Sequence, residues 1–569
     1  MTHVLFEEDG GLKAATVLSD AGTSLQVEHA TGRRTKVKTA QVLLRFETPS
    51  PGELMPAAQA IANEIDVDFL WECAPPDEFG FGDLAGEYFG GSPSATQSTG
   101  VLIKLAAAPV YFHRKGRGRF RPAPAETVKL ALAALERRRA QEAAIADMAQ
   151  AMQEGHLPAP IQAAGASLLV RPDKQTLEYR ALERACEATR KPAQRLLLDL
   201  GLFANAKALH LACFEREYFP AGTGFPESFA VAGPPAGLPL SAARAFSIDD
   251  STTTEIDDCL SVQTLSDGRL RVGVHIAAPS LAGQPGDALD SLARERMSTV
   301  YMPGEKITML PEGAIRPYSL DEGTERAVIS LYCDLDPSGT EVVDRQTVVE
   351  RIAIAANLRH DQLDEHVTEA SLEDPQAQFP MAEPLRALWK LTLALCAGRD
   401  KVRGKPEARF RTDFSFYVEG ERVRIIQRRR DAPLDRIVAE MMILANSEWG
   451  RLLAEHKAPG LYRSQQMGRV RMSTHPLPHQ GLGVAQYMWS TSPLRRYVDL
   501  VNQWQIIACA RHGNTAALVA PFKPKDTNLM AVISALSTII LVKQMGWSVH
   551  SATAAPGLPP FVTSMAISG

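Results

Sequence analysis

The sequence predicts an α+β fold divided among several domains. Its 569 residues are too many for one ordinary hydrophobic core, so about three to four domains are expected. From residue 241 onward, buried-looking strands such as RLRVGVHIAAPS are mixed with a long amphipathic helix, PLDRIVAEMMILANSEWGRLLAEH. Strands and helices do not alternate regularly enough for a doubly wound parallel sheet, so this segment is typical of α+β architecture.

Composition and charge restrict the class of protein. Hydrophobic residues make up 45% of the chain and charged residues 22%, which is typical of a globular protein. The net charge of -5 provides no overall attraction to nucleic acid, so any basic surface has to be local. The seven cysteines form no CxxC pair, which argues against a zinc site and against a disulfide framework.

No segment predicts secretion or membrane insertion. The N-terminus, MTHVLFEEDGG, carries acids where a signal peptide needs positive charge. The longest nearly apolar run, 529–542, has 14 residues and includes Ser and Thr, whereas a bilayer span needs about 20. We therefore expect a soluble, cytoplasmic protein without a membrane partner.

Two small modules are predicted before the main domain. Residues 1–50 alternate polar and apolar positions in short runs separated by DGG, SDAGT and TGRR, which predicts a small antiparallel β-barrel. Such a barrel could bind RNA or could be a plain structural cap. Residues 51–122 predict helices followed by a basic hairpin, which favours a winged helix-turn-helix module.

The hairpin of the second module has a local basic cluster. Aromatic residues and cations are interleaved along it: Tyr111, Phe112, Arg114, Lys115, Arg117, Arg119 and Phe120. Cations neutralise phosphates and aromatic faces stack on bases, so we expect nucleic-acid contact here. A solvated basic turn is the alternative.

Residues 123–240 are expected to connect these modules to the main domain. Apolar residues at helical spacing in ETVKLALAALERRRAQEAAIADMAQAMQEG and LEYRALERACEATRKPAQRLLLDLGLF predict scaffold helices. The Pro- and Gly-rich stretch 220–240 predicts a linker. The main domain is then expected to cover 241–538.

Candidate chemistry is concentrated in the stretch AFSIDDSTTTEIDDCLSV. Five carboxylates fall within ten positions of it: Asp249, Asp250, Glu255, Asp257 and Asp258. Apolar residues on both sides predict that these acids lie between buried segments, where they repel one another and lose hydration. A hard divalent cation, which prefers oxygen ligands, is the simplest compensation. A solvated acidic turn is the alternative.

A series of motifs in one order carries a specific resemblance. Over about 250 residues, FSIDDSTTTEIDDCLSV is followed by VGVHIAAPS, VYMPGEKITMLPE, YSLDEGTERAVISLYCDLD, RIVAEMMILAN, PHQGLG and YMWSTSPLRRYVDL. This series resembles the catalytic domain of the ribonuclease II family, the RNB exoribonucleases. The resemblance implies an RNB catalytic domain and a processive 3'-to-5' exoribonuclease. It also implies single-stranded RNA as the substrate and nucleoside 5'-monophosphates as the products.

The resemblance further implies a metal centre. It assigns Asp249, Glu255 and Asp258 to metal binding, with Mg2+ as the cofactor and Mn2+ as a substitute. Asp257 matches the carboxylate most critical for chemistry, which would position or deprotonate the attacking water or hold a second metal. The family usually has Asp at the position of Glu255, so a water-bridged or weaker ligand is expected there. Metal ions held by carboxylates activate water and bridge the scissile phosphate.

Other residues of the motifs are implied to bind RNA. Arg495 matches the arginine that contacts the scissile or adjacent phosphate, where a fork of donors stabilises developing negative charge. Tyr301 matches the aromatic residue that stacks near the 3'-terminal base, and a core position is its alternative. Arg496 belongs to the same motif as Arg495, with local packing or pairing as its alternative.

The chain departs from the family pattern at both ends. Two cold-shock barrels are not recognisable at the N-terminus, and we expect the OB-fold that would follow the RNB domain to be missing. Residues 539–569 have almost no charge and predict a truncated or aberrant tail. A monomer is expected by analogy with the family. Two alternative functions stay open: a catalytically impaired RNA-binding or regulatory protein, and a winged-helix DNA-binding regulator with a nuclease-like core.

Overall fold

The computed structural model describes residues 1–226, 232–302, 305–407, 412–419, 422–429, 432–523 and 529, with the backbone alone described at 412–419, 422–423 and 427–429. The tail predicted at 539–569 lies outside the described residues. Two units divide the chain, Met1–Asn205 and Ala206–Gly569. Among the described helices, none has the length and apolar content needed to span a bilayer.

A five-stranded antiparallel sheet begins the first unit. Its strands are β1 (His3–Glu8), β2 (Gly11–Asp20), β3 (Ser24–His29), β4 (Arg34–Lys38) and β5 (Val42–Phe46). They pair in the order β4-β3-β2-β1-β5. Val4, Phe6, Leu25 and Val27, which alternate along their strands, pack into one apolar core. The predicted antiparallel strands are therefore present, while their closure into a barrel stays a prediction.

Helices and a small sheet follow in the first unit. In chain order these elements are α1 (Pro51–Glu64), α2 (Val67–Glu72), β6 (Phe79–Gly80), α3 (Phe81–Phe89), α4 (Ala95–Ala107), β7 (Phe112–Gly116) and β8 (Arg119–Pro122). The three strands pair in the order β6-β8-β7. Helices followed by a hairpin agree with the expectation for this part of the chain, and its assignment as a winged helix-turn-helix stays a prediction.

The connecting segment is helical, as its apolar periodicity predicts. It contains α5 (Ala125–Gln153), α6 (Ala159–Ala164), α7 (Leu177–Thr189), α8 (Ala193–Asp199) and, at the start of the second unit, α9 (Ala206–Tyr218). Ile145, Ala149 and Met152 are buried on α5, whereas most of its remaining surface is solvated. Its helical fold therefore depends on one partly apolar stripe.

A closed barrel forms the centre of the second unit. After α9 the described elements are β9 (Leu240–Asp249), β10 (Asp258–Thr264), β11 (Leu270–Ala277), α10 (Ala288–Arg296), β12 (Val300–Met302), β13 (Glu305–Ile307), α11 (Glu312–Ile315), β14 (Glu325–Leu335), β15 (Val342–Arg359), α12 (His360–Leu363), α13 (Glu369–Glu373), α14 (Ala382–Arg403), β16 (Thr412–Glu419), β17 (Arg422–Arg429), α15 (Pro433–Glu455), β18 (Tyr462–Gln466), β19 (Arg469–Ser473), α16 (Tyr497–His512) and α17 (Ala516–Val519). The barrel order is β10-β11-β14-β15-β9. Its neighbouring strands are antiparallel except β15 and β9, which are parallel.

The barrel strands have two apolar faces, which explains why their sequences read as continuous hydrophobic runs. On one face, Val272, Val274 and Ile276 pack in a core with Trp389 of α14 and Trp449 of α15. The other face belongs to a second core, which includes Tyr497 to Trp504 of α16. Because α16 is buried continuously from Tyr497 to Cys509, it holds the loop that precedes it in a defined position.

A buried histidine lies within the barrel wall. The two ring nitrogens of His275 are each 2.8 Å from a serine hydroxyl, Ser261 on β10 and Ser330 on β14. Burial lowers the pKa of His275 to about 3. The imidazole is therefore neutral at ordinary pH and links three adjacent strands through its hydrogen bonds.

Candidate active site

The barrel topology gathers the acidic residues at one end of neighbouring strands. Asp249 ends β9 and Asp258 begins β10, and the two antiparallel strands are in register with Leu260 opposite Phe246. The loop between the strands therefore brings both carboxylates to the same rim. The end of β15 meets this rim as well, since Arg359 is paired with Asp249.

Asp257 is held by the loop before α16. The Leu494 N–H donates to Asp257 Oδ1 at 2.8 Å, and Arg495 Nε donates to Asp257 Oδ2 at 2.6 Å. The guanidinium also donates to the Ser492 hydroxyl at 3.0 Å. Burial raises the pKa of Asp257 to about 6, although the charge of Arg495 opposes the rise. The fold thus joins two predicted site residues that lie 238 positions apart.

Asp249 and Asp258 lack such a cationic partner at hydrogen-bonding distance among the described residues. Burial is the largest cause of a raised pKa in both, and the charge of Asp249 raises that of Asp258 further. Asp249 Oδ2 is buried and accepts no hydrogen bond from a described residue. An unbonded carboxylate oxygen beside a second carboxylate is a donor set that fits a hard divalent cation.

Glu255 is placed differently from the other acids. It is 6% exposed, and Lys306 Nζ lies 2.7 Å from its Oε1 atom. The Thr254 hydroxyl donates to Oε2 at 3.3 Å, and Lys306 also contacts that hydroxyl. Both oxygens of Glu255 are therefore already engaged. Sequence reasoning missed Lys306, because its partner is 51 positions away and no local pattern marks the pair.

Tyr301 lies at the same rim. It is on β12, directly opposite Lys306 on β13, and 40% of the residue is exposed. Its phenol interacts with the guanidinium of Arg495. The alternative that Tyr301 is a core residue is therefore wrong, and the ring is available to a ligand beside Arg495.

Arg496 makes a separate set of contacts from those of Arg495. Its Nε and Nη2 atoms donate to the fully buried Asp499 at 2.8 and 2.7 Å. Its guanidinium carbon lies 4.8 Å from the centre of the Trp489 ring, and Arg463 lies 4.7 Å from that same ring. The structure supports the alternative of local pairing for Arg496. Arg463 and Trp489 were not recognised from the sequence.

A second group of potential ligands adjoins the acidic loop. Atoms of Asp250, His360 and Asp361 lie within 4.8 Å of one another. However, Asp361 accepts hydrogen bonds from the Ser251 N–H and hydroxyl at 2.9 and 2.6 Å. Asp250 accepts one from the Thr252 N–H at 2.9 Å. These bonds hold the turn after Asp249 against the end of β15.

The aromatic residues of the basic hairpin are buried in the first unit. Tyr111, Phe112 and Phe120 are 8%, 2% and 2% exposed and belong to its apolar core. The expectation that they stack on bases is therefore wrong. The interleaving of rings and cations arises because successive residues of a strand point to opposite faces.

The cations of the hairpin remain at the surface, and several have protein partners. Arg114 pairs with Glu7 at 2.5 Å, and Arg119 pairs with Glu78. Arg117 donates to the Ala40 carbonyl at 3.2 Å. Lys115 and Arg121 are exposed. The hairpin therefore keeps a basic surface, although part of its charge is neutralised within the unit.

Comparison with known proteins identifies the second unit. The family model for the RNB domain matches residues 239–471 and 464–512. An uncharacterized ribonuclease of Synechocystis is 29% identical over 353 residues, covering 56% of this chain and 51% of that protein. Exoribonuclease 2 of Serratia proteamaculans is 28% identical over 342 residues, covering 49% of this chain and 52% of that protein. The chain thus spans about half the length of these curated relatives.

A solved structure resembles a larger part of the fold. An active-site mutant of the Dss1 exoribonuclease from Candida glabrata matches with a TM-score of 0.55 and 16% identity, covering 96% of this chain and 89% of that one. This likeness concerns the fold alone. Taken with the ribonuclease relatives, the RNB match shows that residues 239–512 form an RNB domain, the catalytic domain of the ribonuclease II family.

Proposed function

We propose that the chain is a processive 3'-to-5' exoribonuclease that hydrolyses single-stranded RNA to nucleoside 5'-monophosphates. The observation that carries the proposal is the contact of Arg495 with Asp257, at the rim where Asp249 and Asp258 lie. A fixed guanidinium beside clustered carboxylates suits a reaction at a phosphodiester, because the arginine binds the anion and the acids bind a cation. The ribonuclease relatives support the reaction class.

Asp249 and Asp258 are the residues proposed to hold Mg2+, for which Mn2+ could substitute. Their donor set fits that ion because one buried oxygen of Asp249 has no hydrogen bond from the described part of the chain. When bound, the ion would activate water and stabilise charge on the reacting phosphate. Glu255 borders this centre, but its carboxylate is engaged by Lys306.

Arg495 and Asp257 are the proposed catalytic residues. Asp257 and Ser492 fix the guanidinium from one side, and the Arg495 side chain is still 37% exposed. Because the guanidinium is already held in position, its remaining N–H donors can bind a phosphate without first being ordered. This strengthens the stabilisation of the negative charge that develops on the phosphate during the reaction. Asp257 is proposed to orient the attacking water from its place beside this guanidinium.

Tyr301 is proposed to stack on the 3'-terminal base. Its ring is exposed beside Arg495, so a base on the ring places the adjoining phosphate near the guanidinium. Stacking tolerates every base, as a degradative enzyme requires. In the first unit, Arg114, Lys115, Arg117 and Arg119 are proposed to contact the RNA backbone through charge alone. The active form is proposed to be a monomer.

The test is digestion of a 5'-labelled single-stranded RNA with Mg2+. With the wild-type chain, the 5'-labelled RNA should be degraded to one short labelled end product. A 3'-labelled RNA should release a labelled mononucleotide at the start of the reaction. Asp257→Asn and a chelator should each abolish both signals. Asp344→Asn, which removes an exposed acid from β15, is the matched control and should behave as the wild type.

Two results would reject this function. Internal fragments of both labelled RNAs would indicate an endonuclease. Intact RNA in every lane, with binding retained, would favour the catalytically impaired RNA-binding protein instead.

A further inference from the structure

Four acids of the loop, Asp249, Glu255, Asp257 and Asp258, fall into two pairs by their partners. Asp257 has Arg495 at 2.6 Å, and Glu255 has Lys306 at 2.7 Å. Asp249 and Asp258 have no ion pair of this kind among the described residues. Each of the first two carboxylates is thus neutralised by one protein cation. The remaining two carboxylates, which form no ion pair of this kind in the described part of the chain, are left to share one divalent cation.

We propose that Lys306 occupies the place that a second metal ion would need, so that the acidic cluster holds a single divalent cation. The proposal deepens the function given above and rests on its metal centre. It assigns to Lys306 a role that no motif of the chain predicts. Lys306 is a positioning residue here, because it acts on the cluster through Glu255.

The contacts of Lys306 explain why a second ion is excluded. Its ammonium group touches both Glu255 and the Thr254 hydroxyl, and only 6% of Glu255 is exposed. A divalent ion at Glu255 would have to displace the ammonium or lie against its charge. The ion and the ammonium group are both positively charged, so they would repel each other.

Backbone pairing holds Lys306 in this place. Lys306 is directly opposite Tyr301 in the β12–β13 hairpin, and the Tyr301 phenol interacts with Arg495. Arg495 in turn binds Asp257 on the acidic loop. The loop, the hairpin and the segment before α16 therefore form a closed circuit of contacts. Backbone pairing fixes where the Lys306 side chain begins, and its contacts with Glu255 and Thr254 hold the ammonium group at the loop.

The experiment is a titration of the full chain with Mn2+ alone, following free Mn2+ by electron paramagnetic resonance. The wild type should bind one equivalent, and Asp258→Asn should lose it. Lys306→Met leaves Glu255 without its cation, so it should bind a second equivalent. Lys306→Arg keeps the charge and should stay at one equivalent. The double variant Glu255→Gln with Lys306→Met removes both charges and should also bind one.

Thermal unfolding of each variant shows whether it is folded before its stoichiometry is compared. Two equivalents in the wild type, or one in a folded Lys306→Met chain, would overturn the inference. If Lys306→Met does not fold, Lys306→Gln, which also removes the charge but keeps a polar side chain, takes its place and should bind a second equivalent. RNA hydrolysis is measured separately. Loss of hydrolysis with one bound ion would reject the proposed function alone, whereas hydrolysis with two bound ions would reject the inference alone.

Discussion

At the residue scale, stability and the proposed chemistry oppose each other at Asp249 and Asp258. Burial raises the pKa of both carboxylates, and the charge of Asp249 raises the pKa of Asp258 further. At neutral pH, the folded state therefore carries an electrostatic penalty that the unfolded chain lacks. A bound cation would remove this penalty. The two residues are thus better suited to binding an ion than to stabilising the barrel.

This opposition predicts the effect of Asp258→Asn on thermal stability. In a chelator the variant should unfold at a higher temperature than the wild type, because one of the two repelling charges is gone. Its free energy of unfolding should be larger by about 1–2 kcal/mol. Added Mg2+ should stabilise the wild type against unfolding and should not stabilise the variant. Differential scanning calorimetry in both buffers measures the two effects on the transition that responds to Mg2+.

The control for this prediction is Asp344→Asn. Asp344 is an exposed acid on β15, so its neutralisation should change neither the chelated transition nor the response to Mg2+. A lower unfolding temperature of Asp258→Asn in chelator would show that the carboxylate stabilises the metal-free fold.

At the element scale, β11 carries the clearest pH-sensitive group of the barrel. His275 is buried between Ser261 and Ser330, and burial lowers its pKa from 6.5 to about 3. The unfolded chain therefore binds the proton more readily than the folded chain. The neutral ring contributes its full stability above about pH 6.5, and this contribution decreases as pH falls toward 3.

We predict that His275→Asn makes the free energy of unfolding less dependent on pH below about 6.5. In the wild type, each pH unit below 6.5 should remove about 1.4 kcal/mol from the free energy of unfolding through this one group. The variant should be less stable at pH 7, because it cannot form both hydrogen bonds to the serines, but its stability should decrease less on acidification. Urea unfolding between pH 4.5 and 7.5 measures the slopes.

His475→Asn is the control for the histidine prediction. His475 is exposed in the same unit, so its substitution should leave the slope as it is in the wild type. Equal slopes for the wild type and His275→Asn would show that the ring does not titrate on unfolding.

At the scale of the whole molecule, the proposed chemistry and the proposed RNA capture belong to different units. The acids, Arg495 and Tyr301 lie in Ala206–Gly569, whereas the basic hairpin lies in Met1–Asn205. Contacts to phosphates through exposed cations depend strongly on salt and carry little sequence preference. Binding and turnover should therefore respond to different substitutions.

We predict that Lys115→Gln with Arg121→Gln weakens RNA binding and reduces its salt dependence. The slope of log K against log salt should become shallower by about 0.7 for each phosphate of a single strand that the variant no longer neutralises. Turnover at saturating RNA should be unchanged, because neither residue belongs to the acidic site. Fluorescence anisotropy at several salt concentrations gives the slope.

The comparison for this double variant is Arg138→Gln with Arg139→Gln. These residues are exposed on α5, so the same charge is removed from the same unit outside the hairpin. An equal change of slope in both variants would mean that the hairpin cations contribute no more to RNA binding than the exposed arginines of α5.

Local sequence patterns were sufficient for much of the architecture. Alternation predicted the N-terminal strands, helical spacing predicted α5, α7 and α8, and the mixed main domain was expected as α+β. These features depend on residues close in sequence, whose periodicity matches that of a strand or a helix. The closed barrel was not predicted, because strand order depends on pairing between distant segments.

The sequence by itself identified the RNB domain, and it placed the acids and Arg495 in recognisable motifs. Only the tertiary structure decided the partner of each charge: Asp257 with Arg495, Glu255 with Lys306, and Asp249 beside Asp258 without a protein cation among the described residues. It also decided that Phe112 and Phe120 belong to a core rather than to a nucleic-acid surface. The physical reason is that motif spacing is a property of the chain, whereas burial and ion pairing arise when strand register brings distant residues into contact.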